Sequence, residues 1–240
     1  MLKDKKVILF DMDGTLIDSV GVWNEVDRKL IKRLGGAELK SEDIQVQRDT
    51  ALREYSTHAN PYLQYCTFLK EKYNSSLSPE QVVDLRYGIA NEYLINDVDY
   101  KENAEVLLQK LKSQGLTLVI TTATKRTSID IYRKFNTNIM QKAPLDEIFS
   151  KIYTREDVSE MKPNPEVYCT VIKELGVTPQ DCLIFEDSLI GVEAANNAGI
   201  EVVVMYDKYS DHERKEINEK ADYSFDNYAA VLEAIEAEFC

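Results

Sequence analysis

Continuous apolar runs constrain this chain more than any other feature of its sequence. They are VILF at 7–10, LTLVIT at 116–121, CLIFED at 182–187 and EVVVMY at 201–206. Each run is unbroken rather than alternating, which suits strands buried on both faces. Helical patterns separate the later runs. ENAEVLLQKLKSQG carries Leu107, Leu108 and Leu111 on one face and closes at Gly115. PEVYCTVIKELG extends from Pro165 to Gly176, and SLIGVEAANNAG ends at Gly199. A weaker strand lies in IFSKIYT. Strands alternating with helices predict an α/β core, a parallel sheet with helices on both faces. The first strand, residues 6–10, belongs to that sheet.

Between the first strand and about residue 96 the pattern is helical. VWNEVDRKLIKRLGG spaces Val22, Val26, Leu30 and Leu34 by four and stops at Gly35-Gly36. PYLQYCTFLKEKY reads similarly, as does PEQVVDLRYGIANEYL with Pro79 at a helix start. The predicted organisation is a core of residues 1–17 and 97–240 with an all-helical insert at 18–96. Asp18 and Ser19 are expected to cap the first insert helix. The segment NTNIMQKAPLDE (136–147) reads as a long loop without a function.

A length of 240 residues allows a sizeable core, and 44% hydrophobic with 30% charged residues describes an ordinary folded chain. A net charge of −13 argues against a nucleic-acid partner. No apolar run approaches the ~20 residues of a membrane span, and MLKDKK precedes a run too short for a signal peptide. A cytoplasmic protein is expected, and a monomer is compatible with everything above. Cys66, Cys169, Cys182 and Cys240 form no CxxC pair and are expected to be reduced and buried. The sequon at Asn74-Ser75-Ser76 is read as chance. Only His58 and His212 are present, so a Ser–His–Asp or Cys–His nucleophile is poorly supported. Acid–base chemistry falls to carboxylates.

In open α/β sheets, ligands bind beyond the carboxyl ends of the strands. Asp11 and Asp13 follow the first strand; Thr121, Thr122, Thr124, Lys125 and Arg126 follow the second. Glu186, Asp187 and Ser188 end the fourth, and Lys162-Pro163-Asn164-Pro165 precedes the 165–176 helix. Converging carboxylates repel one another unless a cation sits among them, and hard oxygen ligands suit Mg2+. A hydroxyl and a lysine beside the metal suit a phosphate. Main-chain N–H groups of the Asp11-Met12-Asp13-Gly14 turn are further anion donors.

Four of these segments, DMDGT at 11–15, the strand-end Thr122, KPNP at 162–165 and FEDS at 185–188, resemble the four motifs of the haloacid dehalogenase superfamily. The insert resembles the helical cap of its β-phosphoglucomutase-like and phosphoglycolate-phosphatase-like branch, and the likeness spans essentially the whole chain. It implies a Rossmann-like core, a small phosphorylated metabolite as substrate, and Mg2+. By that resemblance Asp11 is the nucleophile that forms an aspartyl-phosphate. Asp13 protonates the leaving alcohol and then deprotonates water. Mg2+ is held by Asp11, the Asp13 carbonyl and Asp187, with Glu186 assisting directly or through water. Thr122 and Lys162 bind the phosphoryl oxygens; Met12, Thr124 and Lys125 are further phosphate-binding candidates. The cap is where the substrate would be read.

Competing readings remain at this stage. Asp187 is a possible helix cap, Lys162 a possible solvated loop lysine, and Thr121 competes with Thr122 for the strand-end role. Asp13 points to phosphoryl transfer, since the family's dehalogenases lack this second acid. The first alternative to a phosphatase is a β-phosphoglucomutase-type sugar phosphomutase. That enzyme carries a histidine at the start of its cap, where this chain has Trp23, and it must bind a second phosphate. Arg48 and Arg53 lie in roughly the right region for that role, but arginines on a helical insert are expected to be solvated. Seven of the fourteen tyrosines fall between Tyr55 and Tyr100, where pocket lining and bundle packing explain them equally. The second alternative is a non-catalytic protein that binds a phosphorylated metabolite or a partner.

Overall fold

A computed structural model describes residues 1–55 and 57–238, so Cys240 lies outside the described residues. The chain divides into two compact units, residues 1–18 with 98–240 and residues 19–97. No helix among the described residues is long and apolar enough to cross a membrane.

The larger unit is built on β1 (Val7–Phe10), β2 (Thr117–Thr121), β3 (Lys151–Tyr153), β4 (Cys182–Glu186), β5 (Glu201–Met205) and β6 (Tyr223–Phe225). All neighbouring pairs are parallel, in the order β3-β2-β1-β4-β5-β6. Every residue of β1 and β4 is buried, as their unbroken apolar sequences require when helices cover both faces. Strand order reverses between β1 and β4, which opens a crevice at their carboxyl ends. Phe10 pairs in register with Phe185, so Asp11 and Glu186 leave the sheet side by side. This is the parallel α/β core expected from the alternation, in the Rossmann-like form that the family resemblance implied.

The smaller unit consists of α1 (Val20–Arg33), α2 (Ser41–Glu54), α3 (Pro61–Lys72) and α4 (Pro79–Asn96). Ser78 and Gln81 form a reciprocal capping box at the start of α4. Ser19 occupies the N-cap position of α1, but its side chain makes no cap hydrogen bond, contrary to expectation. Apolar periodicity did not indicate α2, because its inward positions are Ile44, Gln45, Arg48 and Ala51, half of them polar.

Those polar residues belong to a buried ionic cluster. Asp27 of α1 is fully buried and accepts from Arg86 Nε at 2.6 Å, Arg86 Nη2 at 3.2 Å and Arg48 Nη1 at 3.3 Å. Arg48 is thus buried and paired rather than solvated, whereas Arg53 is exposed near the end of α2. The Arg86 guanidinium also lies 4.7 Å from the Trp23 ring centre and 5.5 Å from that of Tyr62. Trp23 packs edge-on against Tyr87. Some of the insert's tyrosines are therefore packing around an arginine.

The other helices of the larger unit are α5 (Ala104–Ser113), α6 (Arg126–Lys134), α7 (Thr137–Lys142), α8 (Leu145–Ile148), α9 (Glu166–Leu175), α10 (Leu189–Ala198), α11 (Arg214–Lys220) and α12 (Tyr228–Glu238). Cys169 on α9 is exposed, which corrects the expectation of a buried thiol; Cys66 and Cys182 are buried and form no disulfide. The segment 136–147 is not a loop but α7 and most of α8, too short for periodicity to reveal. It grips the connection at residues 98–100. Asn136 and Asn138 donate to the Val98 carbonyl, Lys142 pairs with Asp99, and the Tyr100 hydroxyl donates to the Ala143 carbonyl at 2.6 Å.

Removing one member of a buried ion pair leaves its partner charged and unsolvated, at a cost of about 3–5 kcal/mol. Asp27→Ala strands the buried Arg86 guanidinium and leaves Arg48 only Asp49, at 3.4 Å, so its urea unfolding midpoint is expected well below that of the wild type. Arg53→Ala, at an exposed position, is expected to unfold within about 0.5 kcal/mol of it.

Candidate active site

The site is assembled from four segments that leave the sheet at one end. Asp11 follows β1 directly and donates its N–H to the Phe185 carbonyl at 2.9 Å. The chain then turns tightly: the Met12 carbonyl accepts from Leu16 N at 2.9 Å and Ile17 N at 3.0 Å, and Gly14 donates to the Ile17 carbonyl. Gly14 has φ +85°, a conformation that a side chain would strain. This turn keeps Asp11 and Asp13 at the crevice while Met12 is fully buried.

Lys162 joins the segments. Its ammonium donates to Asp11 Oδ1 at 2.8 Å, Glu186 Oε1 at 2.6 Å and the Thr121 carbonyl at 3.0 Å, and only 7% of its side chain is exposed. It is not a solvated loop lysine. Its ammonium also lies 5.5 Å from the ring centre of fully buried Tyr168.

Glu186 is held from every side. Its Oε1 takes Lys162, and its Oε2 accepts from Asp187 N at 2.9 Å, Ser188 N at 3.2 Å and Ser188 Oγ at 3.0 Å. Gly191 makes room for this carboxyl, because a Cβ there would collide with it. Asp187 does not cap α10; Ser188 does, accepting from Gly191 N. Instead, Asp187 Oδ1 accepts from the Thr15 hydroxyl at 2.7 Å.

Asp11, Glu186 and Asp187 are all buried, and one carboxylate oxygen from each lies within 4.8 Å of the others. The Asp13 carboxylate turns elsewhere and accepts from the Thr124 hydroxyl. Thr124 in turn donates its N–H to Thr122 Oγ1 at 3.0 Å. Thr121 contributes its carbonyl to Lys162, while its hydroxyl is buried with no hydrogen-bond partner. Lys125 stands at the N-cap of α6, and its carbonyl accepts from Ser128 and Ile129.

Crowding sets the protonation. Burial pushes the Asp11 carboxyl up to about 7, Lys162 opposes this, and Glu186 adds to it. Asp187 is raised well above the usual carboxylate range by burial and by the charges of Glu186 and Asp11. Burial disfavours the Lys162 ammonium, but Asp11 and Glu186 outweigh it and hold it firmly protonated. Ionising all three carboxylates of this cluster against one ammonium would leave an excess of negative charge, which a hard divalent cation would neutralise. The donor set therefore fits such an ion.

The pattern of motifs located Asp11, Asp13, Thr122, Lys162, Glu186 and Asp187. It did not assign Thr15, Ser188, Gly191 or Tyr168 their contacts. Thr15 had a local signal in its place after Asp13-Gly14; Gly191 and Tyr168 had none, since only tertiary packing brings them to Glu186 and Lys162.

Residues 8–205 match the model of the haloacid dehalogenase-like hydrolase family. The chain belongs to this family of hydrolases. It is 28% identical over 217 residues to the protein CbbY of Rhodobacter capsulatus, covering 85% of this chain and 87% of that protein. It is 29% identical over 199 residues to the phosphorylated carbohydrates phosphatase of Thermotoga maritima, covering 82% of each. Among solved structures, CbbY from Rhodobacter sphaeroides in complex with phosphate superposes with a TM-score of 0.72 at 23% identity, covering 94% of this chain and 95% of that one.

Two measurements follow from the crowding. Asp11 sits at about 7 in the folded protein against an ordinary value of 3.8. Between those values the folded state keeps a proton that the unfolded chain has released, so ion-free stability falls as pH rises through the window. Asp11→Asn should therefore melt above the wild type at pH 8 in EDTA, and this advantage should vanish towards pH 4. Gly191→Ala overpacks the Glu186 carboxyl and should cost about 1–3 kcal/mol, read from denaturant midpoints.

Proposed function

We propose that this protein is a Mg2+-dependent phosphatase of a small phosphorylated metabolite, a sugar phosphate or similar monoester. It would act through an aspartyl-phosphate on Asp11. The observation that carries this reading is the Lys162 ammonium held between Asp11 and Glu186, at 2.8 and 2.6 Å, beside buried Asp187. An ammonium next to an anionic cluster that accepts a cation is a setting in which a phosphoryl group can be bound and transferred. The names of the relatives support the substrate class: one is a phosphatase of phosphorylated carbohydrates, and another holds phosphate in its crystal.

Asp11, Asp187 and the Asp13 main-chain carbonyl are the groups that would hold the ion, with Glu186 beside them. When bound, Mg2+ offsets charge on the phosphoryl oxygens and the nucleophile. Lys162 and Thr122 bind phosphoryl oxygens, and main-chain N–H groups of the Met12–Gly14 turn add donors. Thr124, through its contacts with Thr122 and Asp13, and Lys125 are further candidates for binding the phosphoryl group. A carboxylate oxygen of Asp11 attacks phosphorus as the ester P–O bond breaks. The departing alkoxide takes a proton from Asp13. Asp13, now a carboxylate, accepts a proton from water as that water attacks the aspartyl-phosphate. Phosphate leaves and Asp11 is restored. Thr124 donates to Asp13 and so aims it during both proton transfers.

Hydrolysis is favoured over the phosphomutase reading because Trp23 occupies the place of the mutase histidine. In its own unit this side chain is committed to Arg86 and Tyr87. A non-catalytic role would be favoured by a missing nucleophile or metal-site acid, and this chain keeps both.

The test is phosphate release from a panel of sugar phosphates, phosphoglycolate and nucleotides, with Mg2+ or with EDTA. Release is expected with Mg2+ only and absent in Asp11→Asn. Asp13→Asn should retain about 10⁻² to 10⁻⁴ of the wild-type kcat. No release from any monoester would defeat the hydrolase reading.

A further inference from the structure

Directly beneath the carboxylates lies a stack of three aromatic rings. Phe10, the residue before Asp11, stacks on Phe185, the residue before Glu186, with ring centres 4.8 Å apart. Phe185 stacks in turn on Tyr228 at 6.4 Å. Tyr228 is the first residue of α12, far from every motif in the sequence, and is 1% exposed. Its hydroxyl donates to the Thr15 carbonyl at 3.0 Å across a separation of 213 residues.

That contact fixes one peptide plane from both ends. The peptide joining Thr15 to Leu16 has its N–H on the Met12 carbonyl at 2.9 Å and its C=O on Tyr228. The Thr15 side chain leaves from this braced plane, and its hydroxyl donates to Asp187 Oδ1 at 2.7 Å. All three residues are buried, so water does not substitute for the missing partner if one is removed.

We propose that Tyr228 is a positioning residue of the metal site. Its hydroxyl holds the Thr15 peptide so that Thr15 presents the Asp187 carboxylate to the ion. The inference rests on the metal-dependent reading above and extends it to the C-terminal helix. Groups that orient a metal-binding carboxylate without touching the ion typically change its affinity by about 10–100-fold.

Mn2+ serves as the probe, with affinity measured by electron paramagnetic resonance on the full chain without substrate. Tyr228→Phe keeps the ring and its stack and removes only the hydroxyl; it should bind Mn2+ roughly tenfold more weakly. Thr15→Ser keeps the hydroxyl and should bind within about twofold of the wild type, while Thr15→Val should lose affinity as Tyr228→Phe does. In the Thr15→Val background, Tyr228→Phe should add little, because both act through one hydrogen bond. Circular dichroism identifies any variant that fails to fold, and Thr15→Ser then still reports on the chain of contacts.

Wild-type affinity in Tyr228→Phe would overturn the inference. Additive losses in the double variant would overturn it too, by showing that Tyr228 acts on the fold rather than through Thr15. A wild type that binds no Mn2+ would remove the metal-site reading and this inference together, a result distinct from the other two.

Discussion

Lys162 and the carboxylates around it set the terms for the rest of the larger unit. A buried ammonium is costly unless its partners are close, and buried carboxylates are costly unless something positive lies among them. Neither side is satisfied by local sequence, since Lys162 lies 151 residues from Asp11 and 24 from Glu186. The sheet solves this by pairing β1 with β4 in register, so that two strands deliver their terminal acids to one point. Glu186 then uses both oxygens to tie Lys162 to the first turn of α10, and Gly191 keeps that turn close enough.

The same charges are poised rather than neutral. Asp11 and Asp187 are pushed towards their protonated forms by burial and by the charge of Glu186, while Lys162 stays charged. Such a site is under electrostatic tension without an ion, and its ligands must be deprotonated to hold one. Capture of an ion and carboxylate ionisation would therefore be linked, and the fold gives up some stability to keep Asp11 ionisable near neutral pH. The smaller unit makes a different use of buried charge. Asp27 balances Arg86 and Arg48 among aromatic rings, an arrangement that links α1, α2 and α4.

Much of this was legible from residue order. Unbroken apolar runs separated by amphipathic helices leave little choice but a parallel sheet, and acids at strand ends converge in any such sheet. Asp11, Asp13, Glu186 and Asp187 could be named for that reason, and Lys162 from the KPNP motif before α9. Legibility failed where the signal was not periodic. The inward face of α2 is half polar, so its helix passed unseen, and α7 is shorter than two full turns. Arg48 looked like a surface residue because a sequence does not disclose that Asp27 waits for it 21 positions away. Cys169 sits in an apolar helix yet faces outward, a matter of which side of α9 meets the sheet.

Residue order alone was enough for the fold class, the family, the acids at the strand ends and the lysine of the KPNP loop, because these follow from local patterns and short motifs. Tertiary structure alone decided what holds those groups in place. Tyr228 reaches Thr15 across the whole chain, Gly191 yields space to Glu186, and Thr124 meets Asp13 across 111 residues. Each is a contact between residues with no mutual spacing rule, fixed only when strands and helices pack. Hydrogen-bond geometry is a property of that packing, and no one-dimensional pattern encodes it.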